Sequence, residues 1–214
     1  MQRRRWRLSE ASAIAFYDRL VAAADPARDP FDVHILAAIL AVALVDGEGL
    51  AAGAGLDHAD LARLAEAVFP AAADEIAARG GPAHQRDAEE ASVRDVLLVF
   101  MSGDPVISRP LAAMVARRCK APRHLWQDLG LNARSELKSL MTRHFAGFAA
   151  RNRGDMKWKK FIYRTVCGAE GIPLCPAPTC AECDEVEVCF GDEDGASRLA
   201  RLAAGAGTAQ SRAI

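Results

Sequence analysis

Aromatic residues are scarce in this chain of 214 residues, at 6% of the sequence, although apolar residues make up 51%. Alanine supplies much of the apolar count, which favours closely packed helices, whereas strands are typically rich in aromatic and β-branched residues. The length suits one domain with its own core and flexible ends. The expected fold class is therefore all-α, as a single multi-helix domain.

Two further shortages bear on the partners of the protein. Long apolar runs are missing, since the longest, at residues 35–45, is well short of the roughly 20 residues that a membrane-spanning helix needs. An excess of one charge is also missing, because 27 basic and 28 acidic residues give a net charge of −1. We therefore expect neither a membrane nor a nucleic acid as a partner.

Recognisable catalytic patterns are absent as well. The chain has no helical His-Glu-x-x-His motif and no pattern that indicates a Ser-His-Asp triad. The glycine-rich stretch at residues 47–55 is not followed by Gly-Lys-Ser/Thr, so it is interpreted as a flexible connection. We expect no turnover chemistry, and the protein is predicted not to be an enzyme.

The arginine-rich start resembles the basic region of a signal peptide, but Asp18 and Arg19 soon interrupt the apolar stretch that follows. This pattern predicts a cytoplasmic location. A cytoplasmic chain keeps its thiols reduced, so its six cysteines indicate metal or redox chemistry rather than disulfides.

Helical periodicity accounts for most of the chain before residue 170. The segments with this pattern are residues 9–24, 30–45, 57–69, 70–79, 88–101, 107–120, 133–151 and 156–168. Beyond them, Pro173, Pro176 and Pro178 exclude a regular helix. The predicted organisation is a flexible basic N-terminus at 1–8, a helical domain at 9–170, a proline-rich cysteine loop that binds metal at 171–191, and a mostly disordered tail at 192–214 with a weak helix at 197–204.

Four of the six cysteines cluster in the predicted loop, at Cys175, Cys180, Cys183 and Cys189. Four thiolates are enough for a tetrahedral zinc site or for an iron–sulfur cluster. Structural zinc sites usually combine two short cysteine pairs, whereas here only Cys180 and Cys183 form one. The wider gaps favour a cluster, because its corners lie farther apart than the ligands of one ion, and they leave zinc open.

The remaining cysteines and nearby polar residues are weaker candidates. Cys119 and Cys167 are more typical of packed thiols, although Cys167 lies only eight residues before Cys175 and is a possible extra ligand. His124, His144 and Tyr163 are candidates for a second shell around the metal, but none is predicted to be a ligand.

Charges separate around the four cysteines. Residues 151–170 carry six positive and two negative side chains, whereas residues 175–194 carry seven negative side chains and no positive one. A basic helix here would steady an anionic cluster or receive an incoming oxyanion. The alternative is a solvated helix face with a compensating acidic loop.

These residues resemble a known family. Met156-Lys-Trp-Lys-Lys-Phe-Ile-Tyr-Arg164, followed by Gly171 and Cys175-x₄-Cys180-x₂-Cys183-x₅-Cys189-Phe-Gly191, closely resembles NifQ, the nitrogenase molybdenum-accumulation proteins. The stretch from His124 to Leu131 and residues 136–152 fit the same family. The resemblance is strong over residues 123–191 and covers the first half only in its helical character.

The resemblance implies an iron–sulfur protein that processes and donates molybdenum for the iron–molybdenum cofactor of nitrogenase. Its ligands would be Cys175, Cys180, Cys183 and Cys189, holding a cluster of 4Fe-4S type or a molybdenum–iron–sulfur species made with molybdenum from molybdate. The implied acceptors are the NifEN scaffold and the nitrogenase iron protein. The alternative function is a helical protein-interaction module with a structural zinc site.

Overall fold

The computed structural model describes residues 10–46, 49–169 and 186–211, and every regular element within them is a helix. The all-α fold class is thus confirmed for these parts of the chain. They contain thirteen α-helices and one turn of 3₁₀ helix at Pro70–Ala72. The α-helices are α1 (Glu10–Ala22), α2 (Pro30–Asp46), α3 (Leu50–Ala54), α4 (His58–Val68), α5 (Ala73–Ala78), α6 (Ala88–Val99), α7 (Pro105–Cys119), α8 (Leu125–Asp128), α9 (Arg134–His144), α10 (Ala146–Ala149), α11 (Trp158–Ala169), α12 (Val186–Phe190) and α13 (Arg198–Ser211).

Helix α2 lies at the centre of the fold. Each residue from 35 to 43 is at most 1% exposed, so the helix is buried around its whole circumference. A helix that is apolar on all sides must be enclosed by other elements. Helices α1, α3, α7 and α13 pack against it, which confirms that the longest apolar run forms a buried helix. None of the described helices is both long and apolar enough to cross a membrane.

Helix α7 is the second inner helix. It begins at Asp104, whose carboxylate accepts a hydrogen bond from the Val106 amide at 2.9 Å, and Pro105 occupies the first helical position. Residues 110–116 are buried, and helices α3, α4 and α6 pack against this helix. The core therefore forms around two helices that precede the cysteine-rich region.

The glycine-rich stretch holds a helix that the sequence analysis missed. Helix α3 follows Gly49, and its residues Leu50, Ala51 and Ala54 are fully buried. Gly53 lies so close to α2 that a Cβ there would stand 2.2 Å from the Ala43 carbonyl oxygen. The interpretation as a flexible connection is therefore wrong for residues 50–54, because tight packing against α2 stabilises this short helix.

The predicted helix at 133–151 is interrupted after His144. Ser102, in the connection between α6 and α7, donates its amide to the His144 carbonyl at 2.9 Å. Its hydroxyl oxygen accepts a hydrogen bond from the Ala146 amide, also at 2.9 Å. A distant serine thus replaces the hydrogen bonds of the helix at this point, and the chain continues as two helices, α9 and α10.

Helix α13 is longer than the weak helix predicted at 197–204. The Ser197 hydroxyl accepts a hydrogen bond from the Ala200 amide at its start, and Leu199 and Leu202 are buried. The helix packs against α1 and α2, and Arg198 pairs with Asp46 at 2.8 Å. Tertiary packing stabilises it where local propensity is weak. The domain boundaries drawn from the sequence stay predictions.

Candidate metal centre

Of the four cysteines predicted to bind metal, Cys189 lies in a described part of the chain. Cys175, Cys180 and Cys183 lie outside the described residues, so the ligand set stays a prediction. Cys189 is half-buried on α12, a helix of five residues. The structure therefore places one candidate ligand near the surface of the helical body.

Helix α12 is held against the residues that precede α11. The Lys157 amide donates a hydrogen bond to the Cys189 carbonyl at 2.7 Å, and the Lys157 ammonium donates one to the Glu187 carbonyl at 3.2 Å. The Phe190 ring lies against Gly154, where an added Cβ would be 3.2 Å from ring carbon Cε1. A cation at these carbonyls also suits the negative end of the helix dipole. These contacts fix the backbone of Cys189 beside the start of the basic helix.

The acidic residues after α12 are folded back onto the helical body. The Glu193 side chain is only 4% exposed and lies 3.4 Å from Arg134 Nη1 and 3.5 Å from His124 Nδ1. The Gln127 amide nitrogen donates a hydrogen bond to the Asp194 carbonyl at 2.7 Å. The described acidic residue Glu193 is thus compensated from the α8–α9 region.

Two polar side chains of α11 have structural partners elsewhere in the fold. The Lys159 ammonium lies 2.7 Å from Asp128 Oδ2 and 2.5 Å from the Ala121 carbonyl oxygen. The Tyr163 hydroxyl donates a hydrogen bond to Glu89 Oε1 at 2.5 Å. Burial, reinforced by this hydrogen bond, raises the pKa of Tyr163. These two residues therefore attach α11 to the domain, while Lys160 and Arg164 are exposed.

Two surface cavities flank α12. The mixed-charge cavity, of about 510 Å³, borders α12 at Val188 and contains both cationic and acidic side chains. The arginine cavity, of about 440 Å³, borders α12 at Phe190, and its described lining contains three arginines and no carboxylate. The charged or ionisable side chains of the first are Arg123, His124, Lys157, Lys159, Lys160, Glu193, Asp194 and Arg201, and those of the second are Arg151, Arg153 and Arg164.

The other two described cysteines differ from each other. Cys119 is 4% exposed at the end of α7, and burial raises the pKa of its thiol to about 12. It is a neutral, packed thiol at physiological pH, which confirms the prediction of a small buried hydrophobic residue. Cys167 is half-buried near the end of α11, beside Gly168, which lines the arginine cavity. Its proposed role as an extra ligand stays a prediction.

His144, one of the second-shell candidates, lies in the core. Its Nε2 is 3.2 Å from Asp32 Oδ1 and its Nδ1 is 3.0 Å from the Ser108 hydroxyl oxygen. This Ser-His-Asp chain is not visible in the sequence, because its members are 36 and 112 residues apart. Ser108 is fully buried and His144 is 2% exposed, so no substrate reaches them. The network joins α2, α7 and α9 and is structural.

The described part of the site is chemically compatible with a thiolate-bound metal. Among the residues that the structure describes, no three histidine, cysteine, aspartate or glutamate side chains converge on one point. Since three predicted ligands lie outside that part, this finding does not test the four-cysteine set. Cys189 contributes a half-buried thiol on a backbone held by Lys157.

A family model supplies the deciding comparison. The model described as NifQ matches residues 35–191, a range that begins in the central helix α2 and includes all four clustered cysteines. The chain belongs to the NifQ family. The match also extends the family well upstream of residue 123, where the recognisable motifs begin, so most of the helical first half is a NifQ feature.

Curated relatives agree with the NifQ assignment over most of their length. A protein described as a NifQ homolog, from Sinorhizobium fredii (strain NBRC 101917 / NGR234), is 38% identical over 178 residues, or 78% of this chain and 75% of its own. NifQ of Rhodobacter capsulatus is 36% identical over 141 residues, or 66% of this chain and 77% of its own. NifQ of Azotobacter vinelandii is 35% identical over 151 residues, or 65% and 77%. No solved structure matches the chain.

Membership of the NifQ family supports the coarser expectation from sequence, a role in molybdenum processing for the nitrogenase cofactor. Sequence reasoning identified the cysteines through their spacing. It counted Arg151, Arg153 and Arg164 only as part of a basic stretch. Their convergence on one cavity depends on how α10, α11 and α12 pack, which no local pattern reveals.

Proposed function

We propose that this NifQ family member binds an iron–sulfur cluster, incorporates molybdenum into it, and donates the product to assembly of the nitrogenase iron–molybdenum cofactor. The ligands are the thiolates of Cys175, Cys180, Cys183 and Cys189. Thiolate and sulfide suit both iron and reduced molybdenum. The family assignment supports molybdenum as the metal that the protein handles. The cysteine spacing supports the four thiolates as the ligands.

The observation that carries the donor role is the position of Cys189. It lies half-buried on a five-residue helix at the surface, whereas Cys119 is enclosed in the core. A cluster that is passed to another protein must be accessible to it, and a storage site would be enclosed. Helix α12 accepts two hydrogen bonds from Lys157, one from its amide and one from its ammonium group. A short helix held in this way suits a site that opens for transfer.

The proposed partners follow from this role. The acceptors are the NifEN scaffold and the nitrogenase iron protein, and the molybdenum source is molybdate or a molybdenum–sulfur species. The protein acts as a metallocluster carrier, in which the cluster is cargo, and performs no catalytic turnover. The cytoplasmic location predicted from the sequence belongs to the same proposal.

Metal analysis tests the proposal. The chain is purified without oxygen from cells supplied with molybdate, and iron, sulfide, molybdenum and zinc are measured per chain alongside electron paramagnetic resonance. We expect iron, acid-labile sulfide and some molybdenum in the wild type, and a sharp loss of all three in Cys183→Ala and Cys189→Ala.

Cys119→Ala is the matched control, because it removes a thiol that the structure places in the core. It should keep the metal content of the wild type. One zinc per chain, with no iron or sulfide after anaerobic reconstitution, would contradict the proposal and establish the alternative, a helical interaction module closed by zinc.

A further inference from the structure

The described wall of the arginine cavity carries three cationic side chains. Arg151 and Arg153 follow α10, and Arg164 projects from α11, so side chains from two separate segments line one space of about 440 Å³. Among the residues that the structure describes, no carboxylate lines it. By contrast, Glu193 and Asp194 line the mixed-charge cavity on the other side of α12. The arginine cavity therefore attracts an anionic ligand, whereas the carboxylates of the mixed-charge cavity partly repel one.

Two of the arginines are available for a ligand. The Arg151 guanidinium lies 4.4 Å from the centroid of the Phe100 ring, a stacking contact that orients it without neutralising its charge. Within the described ranges, Arg151 and Arg153 have no carboxylate at ion-pairing distance. The nearby Asp155 faces other cations, at 3.5 Å from Arg134 and 3.7 Å from Lys138.

The uncharged polar side chains of the cavity are already engaged. The Thr165 hydroxyl donates a hydrogen bond to the Phe161 carbonyl at 2.9 Å. The Asn152 side chain bonds both backbone groups of Met156, at 2.8 and 2.9 Å. Recognition in this cavity therefore depends on arginine, whose planar fork of N–H donors binds oxyanions through paired hydrogen bonds.

The cavity also lies beside Cys189, one of the proposed cluster ligands. Phe190, which follows Cys189 directly, forms part of its wall. Gly168, which follows Cys167 directly, forms another part. A ligand bound here would be close to the backbone of two cysteines.

We propose that the arginine cavity is a binding site for a tetrahedral oxyanion, with Arg151 and Arg153 as its ligands and Arg164 as part of its wall. The biological role rests on the proposed function, in which the oxyanion is the molybdenum source awaiting entry into the cluster. Binding itself does not depend on the cluster. Because the site selects its ligand by charge and by hydrogen bonds from N–H donors, it binds molybdate and tungstate. Sulfate competes with them for the site, whereas chloride at the same concentration does not.

The test is equilibrium dialysis of molybdate against the full-length chain, reduced and metal-free. Arg153→Gln removes one cation from the arginine cavity, and Lys160→Gln removes one exposed cation from the mixed-charge cavity. We expect Arg153→Gln to weaken molybdate binding by about tenfold, the effect of one charge-assisted hydrogen bond, and Lys160→Gln by less than about twofold. Thermal unfolding by circular dichroism checks that both variants fold as the wild type does.

Unchanged binding in Arg153→Gln, or an equal loss in Lys160→Gln, would overturn the inference, since the second result would show only a diffuse field. Iron and sulfide content separates this inference from the proposed function. If Arg153-dependent binding occurs in a chain that never holds iron, the oxyanion site stands and the cluster proposal fails. If the chain holds iron and molybdenum but binding does not depend on Arg153, the oxyanion site alone fails.

Discussion

At the scale of single residues, environment separates cysteines that are chemically identical. Cys119 is packed at the end of α7, and desolvation of its thiolate raises the pKa of the thiol to about 12. Cys189 is half-buried on the short surface helix α12. The first thiol therefore supports packing, whereas the second is accessible to metal.

The raised pKa of Cys119 has a measurable consequence for stability. In the unfolded chain this thiol ionises near pH 8.5, whereas in the folded chain it keeps its proton to about pH 12. Raising the pH between these values therefore favours the unfolded state, by about 1.4 kcal/mol per pH unit. We expect the free energy of unfolding of the wild type to fall more between pH 8 and pH 10 than that of Cys119→Ala. Urea unfolding of both chains, metal-free and reduced, measures the difference, and parallel pH profiles would disprove the assignment.

Residue-scale prediction from sequence succeeds where the signal is local. The predicted burial of Cys119 is confirmed, because an apolar helical pattern surrounds it. The network of Asp32, Ser108 and His144 could not be predicted, since its members come from three helices and share no spacing. The oxyanion-binding candidates Arg151 and Arg153 were visible as charges but not as neighbours of one cavity.

At the scale of elements, close approach between helices decides where short helices form. Gly53 allows α3 to lie directly on α2, where the Ala43 carbonyl oxygen would be 2.2 Å from an added Cβ. That atom belongs to the backbone of the central helix and cannot move aside. Gly168, near the end of α11, has no neighbouring atom within 4 Å of an added Cβ.

Substitution of these two glycines by alanine should change the free energy of unfolding in opposite directions. Gly53→Ala should lower the free energy of unfolding by at least about 2 kcal/mol, because the new methyl group forces α3 away from α2. Gly168→Ala should raise it by about 0.5–1 kcal/mol, through better helix propensity at an open position. Urea unfolding followed by circular dichroism measures both. Equal effects of the two substitutions would show that helix propensity, and not packing against α2, dominates at residue 53.

Sequence periodicity predicts the long helices well and their interruptions poorly. The apolar pattern continues through residues 133–151, so it gives no sign that Ser102 caps the break between α9 and α10. The extension of α13 to Ser211 likewise depends on contacts with α1 and α2. In both cases the deciding partner is distant along the chain.

At the scale of the whole molecule, the core is largely separate from Cys189, the candidate ligand that the structure describes. The two inner helices, α2 and α7, lie before residue 120 and are enclosed by other helices. Cys189 is attached at the edge, through contacts with the residues before α11. The family match from residue 35 to residue 191 covers both the inner helices and the cysteine segment.

This separation predicts how the protein responds to metal removal. In small zinc domains, metal binding and folding are one event, because the unbound chain has too small a core. Here the buried helices provide a core without the cysteine segment, so chelation under anaerobic conditions should leave the helical circular dichroism nearly unchanged. A cooperative loss of helicity on chelation would contradict this account and indicate a metal that stabilises the fold.

The central claim is that molybdenum is carried within a sulfur- and iron-containing species bound by the cysteine segment. Molybdenum X-ray absorption spectroscopy of the anaerobically purified chain tests it most directly, with Cys183→Ala as the comparison. We predict sulfur and iron neighbours around molybdenum in the wild type and their loss in the variant. Molybdenum surrounded by oxygen alone in both chains would contradict the claim, since it would show that the protein binds molybdate without building it into a cluster.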